Sequence, residues 1–246
     1  MPETNNWKRF LALIIIACLE LISFSQQTDY KKIFGNDWEK AEVFVAENES
    51  WMKQLDEKYG ISYPASVAVV FPELIRYSAL RDKMEITLLK TLYINLGEDY
   101  ANFSIGRFQM KPSFAESIHL KLPLVKGRLR NQFKEITGIS DIRTYRGAIV
   151  KDLEEPESEF LYLIAFLKIC STIYNLEEMD EEDRLKFLAT AYNYSFQKSF
   201  EEVSKMMDKK FFNTKLLKTE SYSYADISAY WYKNYQKNQE LNLKVK

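Results

Sequence analysis

The stretch Pro156–Tyr174, PESEFLYLIAFLKICSTIY, says most about the fold of this chain. Its apolar residues surround the helix axis instead of forming one stripe, a pattern typical of a helix buried on every side. The run is too short for a membrane span and is followed by polar residues. It therefore predicts a central buried helix that begins at Pro156, a residue suited to a first helical turn.

Segments on both sides of this run also space their apolar residues as helices do. The clearest of these predicted helices are 37–60, 64–78, 81–97 and 181–194. The second is apolar on every side up to Phe71, and Pro72 predicts a kink beside Glu73. Seven glycines and six prolines are few for 246 residues. We therefore expect an all-α, mainly helical single domain, with a loop or a short hairpin near 98–108.

The charge balance argues against one class of partner. Lysines and arginines number 34 against 35 acidic residues, whereas nucleic-acid binding would call for a basic surplus. Hydrophobic residues make up 46% of the chain, which is enough to bury a substantial core. The composition predicts a self-sufficient folded protein without a nucleic-acid partner.

Residues 1–25 have the layout of a secretory signal peptide. Lys8 and Arg9 precede the apolar run FLALIIIACL, and small residues suit cleavage after Ser25. This layout predicts an exported protein of the periplasm or cell envelope. A retained membrane anchor and a lipidated Cys18 are the alternatives, and either would tether the chain to a membrane.

Several common chemistries lack the residues they require. His119 is the only histidine, and cleavage after Ser25 would leave Cys170, a predicted buried hydrophobe, as the only cysteine. Zinc sites built on these residues and histidine-based triads are therefore excluded. Phosphate-binding and dinucleotide-binding glycine motifs are also missing, so we expect no metal and no organic cofactor. Carboxylates and aromatic side chains remain, and this pair suits sugars, because a carboxylic acid with a raised pKa can protonate a glycosidic oxygen.

Three separated segments then occur in a recognisable order. They are YPASVAVVFPELIRYS at 63–78, GRFQMKPSFAES at 106–117 and LATAYNYSF at 188–196. Together they resemble the catalytic domain of the soluble-type lytic transglycosylases, relatives of goose-type lysozyme. In that family an apolar helix ends in a catalytic glutamate, a G-L-M-Q segment leads to a proline and a helix, and A-Y-N-A-G follows later. The resemblance extends from about residue 63 to about residue 235.

The resemblance assigns roles to particular residues. Glu73 would be the catalytic acid and then the base. The substrate-binding residues would be Gly106, Phe108, Gln109, Met110, Tyr192 and Asn193. The chain departs from the family pattern at Leu74, Arg107, Phe108, Tyr194 and Ser195.

Physical arguments accompany these assignments. Phe71 and the apolar turns before it would desolvate the Glu73 carboxyl group and raise its pKa. Gly106 would let the backbone approach a sugar closely, and Gln109 could bond hydroxyl or acetamido groups. The Tyr192 hydroxyl would point at the Glu73 carboxyl group or at the sugar. Glu98, in the loop before the motif, is the rival carboxylate.

Since the sequence shows no repeat and no low-complexity linker, the simplest division is one domain over 28–236 with a polar tail over 237–246. The resemblance implies that this is a lysozyme-like transglycosylase domain. Its activity would be cleavage of the β-1,4 bond between N-acetylmuramic acid and N-acetylglucosamine in peptidoglycan glycan strands. The sequence offers no convincing second carboxylate, which favours the transglycosylase route over lysozyme-type hydrolysis. The alternatives are an inactive lysozyme-like protein that binds glycan or acts as an envelope scaffold, and an exported helical interaction protein unrelated to sugars.

Overall fold

A computed structural model describes residues 28–79, 83–214 and 220–244. The all-α prediction is confirmed, because 72% of these described residues are helical and 3% are in strands. The signal peptide predicted for 1–25, its cleavage after Ser25 and the lipidation of Cys18 fall outside the described residues. Within the described ranges, no helix is both long and apolar enough to cross a membrane.

The described elements are helices with one small antiparallel sheet. In chain order they are α1 Tyr30–Phe34, α2 Asn36–Tyr59, α3 Tyr63–Ala79, α4 Lys83–Leu96, α5 Pro112–Lys121, a 3₁₀ turn Leu122–Leu124, α6 Arg128–Gln132, α7 Lys134–Thr137, α8 Ile142–Glu154, α9 Pro156–Ile173, α10 Glu181–Asn193, α11 Phe200–Ser204, β1 Lys210–Phe212, β2 Tyr222–Ser223 and α12 Tyr224–Lys244.

The chain divides into two compact units, 1–33 and 34–246. The first contributes only residues 28–33 to the described chain, most of them in α1. The boundary between the two units lies inside this helix. At the other end, α12 continues through the predicted polar tail as far as Lys244. All the features discussed below belong to the second unit.

Helix α9 is the central buried helix that the opening stretch predicts. From Phe160 to Cys170 only Leu161 and Lys168 escape full burial, and Phe160 and Phe166 are completely inaccessible to solvent. The helix packs against α2, α5 and α8. Pro156 lies in its first turn, where a missing backbone N–H has no helical partner to lose.

Helix α3 is the second buried helix and carries Glu73. Residues 67–71 are fully buried, and the helix packs against α2, α10 and α12. The helix matches the predicted range 64–78 closely, with Pro72 inside it, so Glu73 lies within the helix and not at its end as in the family pattern. Packing on three neighbouring helices stabilises this geometry although Pro72 removes one backbone donor.

The hairpin expected near 98–108 lies further along the chain and is very short. A single antiparallel bridge joins Ile105 to Met110 through two backbone hydrogen bonds of 2.8 and 3.0 Å. The four residues between them form a tight turn, and α5 begins at Pro112 immediately afterwards. We call residues 105–110 the GRFQ turn.

Candidate functional site

Glu73 lies in the wall of a cavity of about 520 Å³. We call this the Glu73 cavity and define it by six of the residues that line it: Glu73, Arg76, Gln109, Met110, Tyr192 and Asn193. Its volume falls within the range of roughly 300–1,000 Å³ typical of small-ligand sites. Residues from α3, the GRFQ turn and the end of α10 therefore meet around one cavity.

The Glu73 carboxyl group is almost completely buried, with 3% of the residue exposed. Arg76, one turn later on α3, donates from Nη1 to both carboxylate oxygens, at 2.9 and 2.8 Å. The guanidinium also lies over the ring of Phe212, 4.8 Å from its centroid. Arg76 therefore fixes the carboxyl group from one side.

The surroundings of Glu73 act on its protonation in opposite directions. Burial disfavours the charged form and raises the pKa above its ordinary value, while Arg76 opposes that rise through its charge and its hydrogen bonds. Weaker opposing effects come from the Tyr224 hydroxyl and from Lys111. Burial outweighs the others, so the carboxyl group takes up a proton at higher pH than an exposed glutamate does.

Tyr224, the first residue of α12, approaches Glu73 from a helix distant in sequence. It is buried, and its hydroxyl donates to the Val69 carbonyl oxygen at 3.0 Å. The same hydroxyl is also within hydrogen-bonding reach of Glu73. The hydroxyl has one proton and can donate it to only one of these acceptors at a time. A change in the protonation of Glu73 would therefore alter the hydrogen bond to the Val69 carbonyl.

The GRFQ turn reaches the cavity through an unusual backbone conformation. Gln109 has φ 51°, the only positive φ outside glycine in the described chain. Its Nε2 donates to the Gly106 carbonyl oxygen at 2.8 Å, which ties the side chain to its own turn. Left-handed conformations cost a non-glycine residue about 1–2 kcal/mol, and such strain occurs often at functional sites.

Glu159 supports this turn from beneath and was not identified from the sequence. It is fully buried in α9, and its Oε1 accepts the Phe108 backbone N–H at 3.0 Å. A Cβ added to Gly106 would lie 2.4 Å from Glu159 Oε2 and 2.3 Å from the Leu153 carbonyl oxygen. Burial raises the Glu159 pKa well above its ordinary value. The sequence offered one signal, an acid directly before the apolar run FLYLIAFL of a helix predicted to be buried.

Five of the seven predicted site residues line the cavity together. They are Glu73, Gln109, Met110, Tyr192 and Asn193. The Tyr192 hydroxyl, however, donates to the Phe108 carbonyl oxygen at 2.8 Å and not to Glu73. Tyr192 thus fixes the GRFQ turn to α10.

Gly106 and Phe108 are placed differently from the sequence prediction. Phe108 is completely buried, and its ring packs against Phe44 and Phe160 with centroid separations of 6.1 and 5.7 Å. Gly106 faces Glu159 and Leu153. Neither lines the cavity. Their surroundings make them supports of the turn, because a fully buried ring has no surface to offer a sugar.

No family model, curated protein or solved structure matches this chain. Its site must therefore be interpreted from its own chemistry. Within the described ranges, no group of histidine, cysteine and acidic residues is arranged to hold a metal ion. The chemistry that the cavity presents is that of a shielded carboxyl group beside an amide, a guanidinium and aromatic side chains.

Two further carboxylates line the Glu73 cavity. Glu98, the rival considered from the sequence, is exposed there. Glu116 on α5 was not considered; it accepts a hydrogen bond of 2.6 Å from the Tyr93 hydroxyl and lies 3.8 Å from Arg146 Nε. Glu73 differs from both because it alone is buried, so it is the best proton donor of the three.

Proposed function

We propose that this protein is an exported lytic transglycosylase that cleaves the β-1,4 bond between N-acetylmuramic acid and N-acetylglucosamine in peptidoglycan. One observation supports this most: Glu73 is 3% exposed and shares a cavity with Gln109, Tyr192 and Asn193. The sequence resemblance required these residues to be neighbours, although they lie far apart along the chain. A shielded acid beside an amide and an aromatic ring is the arrangement that glycosidic cleavage needs.

The first chemical step is proton delivery. Glu73, its pKa raised by burial, donates its proton to the glycosidic oxygen as the bond to the muramyl C1 breaks. The leaving sugar departs with a free hydroxyl group. Gln109 and Asn193 offer amide groups to the substrate's hydroxyl and acetamido groups at the cavity wall.

The second step uses the same residue in its charged form. The Glu73 carboxylate accepts the proton of the muramyl 6-hydroxyl as that oxygen attacks C1, giving a 1,6-anhydro product without water. Arg76 stabilises the carboxylate between the two steps through its paired contacts. Hydrolysis with inversion would instead need a second carboxylate to activate water, and Glu98 and Glu116 are the candidates in this cavity.

A glycan-binding protein without turnover is the second candidate function. The observation that favours it is the Arg76 pairing, because both Glu73 oxygens are engaged at 2.9 and 2.8 Å. Proton transfer requires at least one oxygen to turn towards the substrate. If Arg76 keeps its place when glycan binds, the cavity would hold the sugar without cleaving it.

Digestion of purified peptidoglycan by the wild-type protein and by Glu73→Gln separates these functions. We expect anhydro-muropeptides from the wild type, detected by mass spectrometry, and a fall in rate of about 10²–10⁴-fold in the variant, since general acid catalysis contributes that much. Glu57→Gln, on the exposed face of α2, is the matched control and should retain full activity.

The products and a binding measurement complete the test. Reducing-end muropeptides without the anhydro form would indicate hydrolysis and direct attention to Glu98 and Glu116. Sedimentation with peptidoglycan without any product would identify the binder. If the protein neither cleaves peptidoglycan nor sediments with it, both functions are contradicted.

A further inference from the structure

A second cavity, of about 720 Å³, lies away from Glu73 and shares no residue with the Glu73 cavity. We call it the basic cavity and define it by six of its lining residues: His119, Lys126, Arg130, Asn131, Lys134 and Thr137. These residues come from the end of α5, the loop after the 3₁₀ turn, and the short helices α6 and α7. Among the described residues, no acidic side chain lines the cavity.

The sequence around this cavity is strongly basic in a chain that is otherwise balanced. Residues 117–137 contain five lysines and arginines and a single acidic residue, Glu135, which does not line the cavity, while the whole chain has a net charge of −1. Three of the five cations, Lys126, Arg130 and Lys134, face the cavity. The proposed glycan cleavage makes no use of this local surplus of positive charge.

The three cations lack acidic partners in the part of the chain that the structure describes. Ion pairs elsewhere engage Lys53, Arg76, Lys90, Arg146, Lys186, Lys198 and Lys233. Lys126, Arg130 and Lys134 take part in none of them. Like charges gathered without counter-charges repel one another, so a bound anion would lower the energy of this region.

The cavity is built on an anchored base. Leu129 and Phe133, on either side of Arg130, are each 3% exposed, so the core holds the segment that presents the charges. Beneath it, His119 Nδ1 lies 2.8 Å from the Tyr145 hydroxyl and Nε2 lies 3.0 Å from the Tyr162 hydroxyl. Both ring nitrogens are therefore engaged, and positive charge comes from the lysines and the arginine.

We propose that the basic cavity is a binding site for a phosphate-bearing ligand with two or more negative charges. Lysine acts as a point charge towards phosphate oxygens, and the planar arginine guanidinium bonds two of them at once. The cavity volume leaves room for a group larger than a single phosphate. This proposal does not depend on the proposed glycan cleavage, and a failure of either one would leave the other unaffected.

Binding of inorganic pyrophosphate to the full chain, measured by isothermal titration calorimetry, tests the site. The wild type should bind at 50 mM salt and weaken when salt is raised to 500 mM, because screening shortens the reach of these charges to a few ångströms. The triple variant Lys126→Gln/Arg130→Gln/Lys134→Gln should bind at least about tenfold more weakly, since each cation contributes a modest surface interaction. Circular dichroism checks that it is folded.

A second triple variant controls for net charge. Lys40→Gln/Lys205→Gln/Lys237→Gln removes three exposed lysines that do not line the basic cavity, and it should bind as the wild type does. Equal loss in both triple variants, or no binding by the wild type to pyrophosphate or to the vesicles described next, would overturn the proposal.

Phosphate can come from a soluble compound or from a lipid headgroup, and vesicle sedimentation distinguishes the two. Vesicles of phosphatidylcholine with cardiolipin, whose headgroup carries two phosphates and two negative charges, are compared with vesicles of phosphatidylcholine alone. Sedimentation with the anionic vesicles that the first triple variant loses would identify a headgroup as the ligand. Pyrophosphate binding without sedimentation would identify a soluble phosphate compound.

Discussion

At the scale of single residues, Glu73 is held between two opposing influences. Burial favours its neutral form, and Arg76 favours its charged form through two hydrogen bonds at 2.9 and 2.8 Å. Burial outweighs Arg76, so the pKa of Glu73 is raised, and the Arg76 contacts limit that rise. Arg76 is therefore the residue whose change should reveal how Glu73 titrates.

Arg76→Gln should raise the pKa of Glu73 further, since it removes the largest opposing influence. A proton donor works only below its pKa, so the alkaline limb of the pH–rate profile should move to higher pH. Carbon-13 NMR titration of the Glu73 carboxyl group checks the same change without relying on activity. The variant should lose about 1–3 kcal/mol of stability at high pH, where the carboxylate would be buried without its partner. An unchanged or lower pKa would contradict this account.

Substitution of Gly106 tests how closely the GRFQ turn packs on the residues beneath it. Gly106→Ala combines a positive φ of 75° with a Cβ 2.3 Å from the Leu153 carbonyl oxygen. We expect a loss of roughly 2–5 kcal/mol, the sum of left-handed strain and overpacking, measured by urea unfolding. Gly60→Ala is the control, because it is left-handed, with φ 63° and ψ 48°, and its added Cβ has only Lys168 Nζ within 4 Å, at 3.9 Å. It should lose only about 1–2 kcal/mol from strain; similar losses in both variants would show that the close contact has no cost.

At the scale of elements, α3 and α12 form the apolar support behind Glu73. Phe71 of α3 stacks on Trp231 of α12, with ring centroids 5.2 Å apart. Trp38 of α2 also packs against Phe71, at a centroid separation of 4.6 Å. These rings around Phe71 exclude water from the turn of α3 that leads into Glu73. Burial of the carboxyl group therefore depends on helices that are distant in sequence.

The two ends of α12 should differ in their importance for stability. Residues 236–243 are all exposed, so a chain ending at Lys237 should change the free energy of unfolding by less than about 0.5 kcal/mol. A chain ending at Ala229 loses Trp231 and Tyr232, which are 4% and 6% exposed, and should fail to fold. Circular dichroism and urea unfolding measure both. Marked destabilisation by the shorter deletion would show that the polar end of α12 has a structural partner.

At the scale of the whole molecule, several carboxyl groups are buried and hold protons at unusually high pH. Asp56, Glu73 and Glu159 are 0%, 3% and 0% exposed, and burial is the main cause that raises the pKa of each. These groups are protonated in the folded protein over a pH range in which they ionise in the unfolded chain. Stability should therefore fall as pH rises through that range. Burial lowers the pKa of His119 to about 4, so this residue has the opposite effect. As pH falls below the ordinary histidine pKa, His119 takes up a proton in the unfolded chain but not in the folded protein, and stability falls.

Asp56 gives the clearest test of this pH dependence. Its pKa is raised from 3.8 to about 7 by burial, against a hydrogen bond from Ser66. The wild type should be more stable at pH 5 than at pH 8. Asp56→Asn, which resembles the protonated form, should reduce that difference by up to about 3 kcal/mol, because each tenfold fall in proton concentration between pH 5 and the folded pKa of about 7 costs about 1.4 kcal/mol.

Urea unfolding at the two pH values measures the effect. Asp208→Asn, at an exposed position, should leave the difference unchanged. An equal difference between pH 5 and pH 8 in the wild type and in Asp56→Asn would contradict the assignment.

The sequence by itself determined the helices and their buried faces. Apolar residues at helical spacing fixed α2, α3, α9 and α10 to within a few residues, because that spacing sets which side of a helix avoids water. It also indicated that Glu73 would be buried, since the turns before it are apolar on every side. A local sequence pattern of this kind predicts burial without any knowledge of which helices pack against one another.

Only the tertiary structure decided how the site is assembled. It paired Arg76 with Glu73, buried Phe108, turned the Tyr192 hydroxyl to the GRFQ turn and placed Glu159 beneath it. Each of these depends on contacts between residues that are distant in sequence or on the direction of one side chain. Periodicity specifies the face of a helix, whereas hydrogen-bond partners depend on where separate helices come together in space.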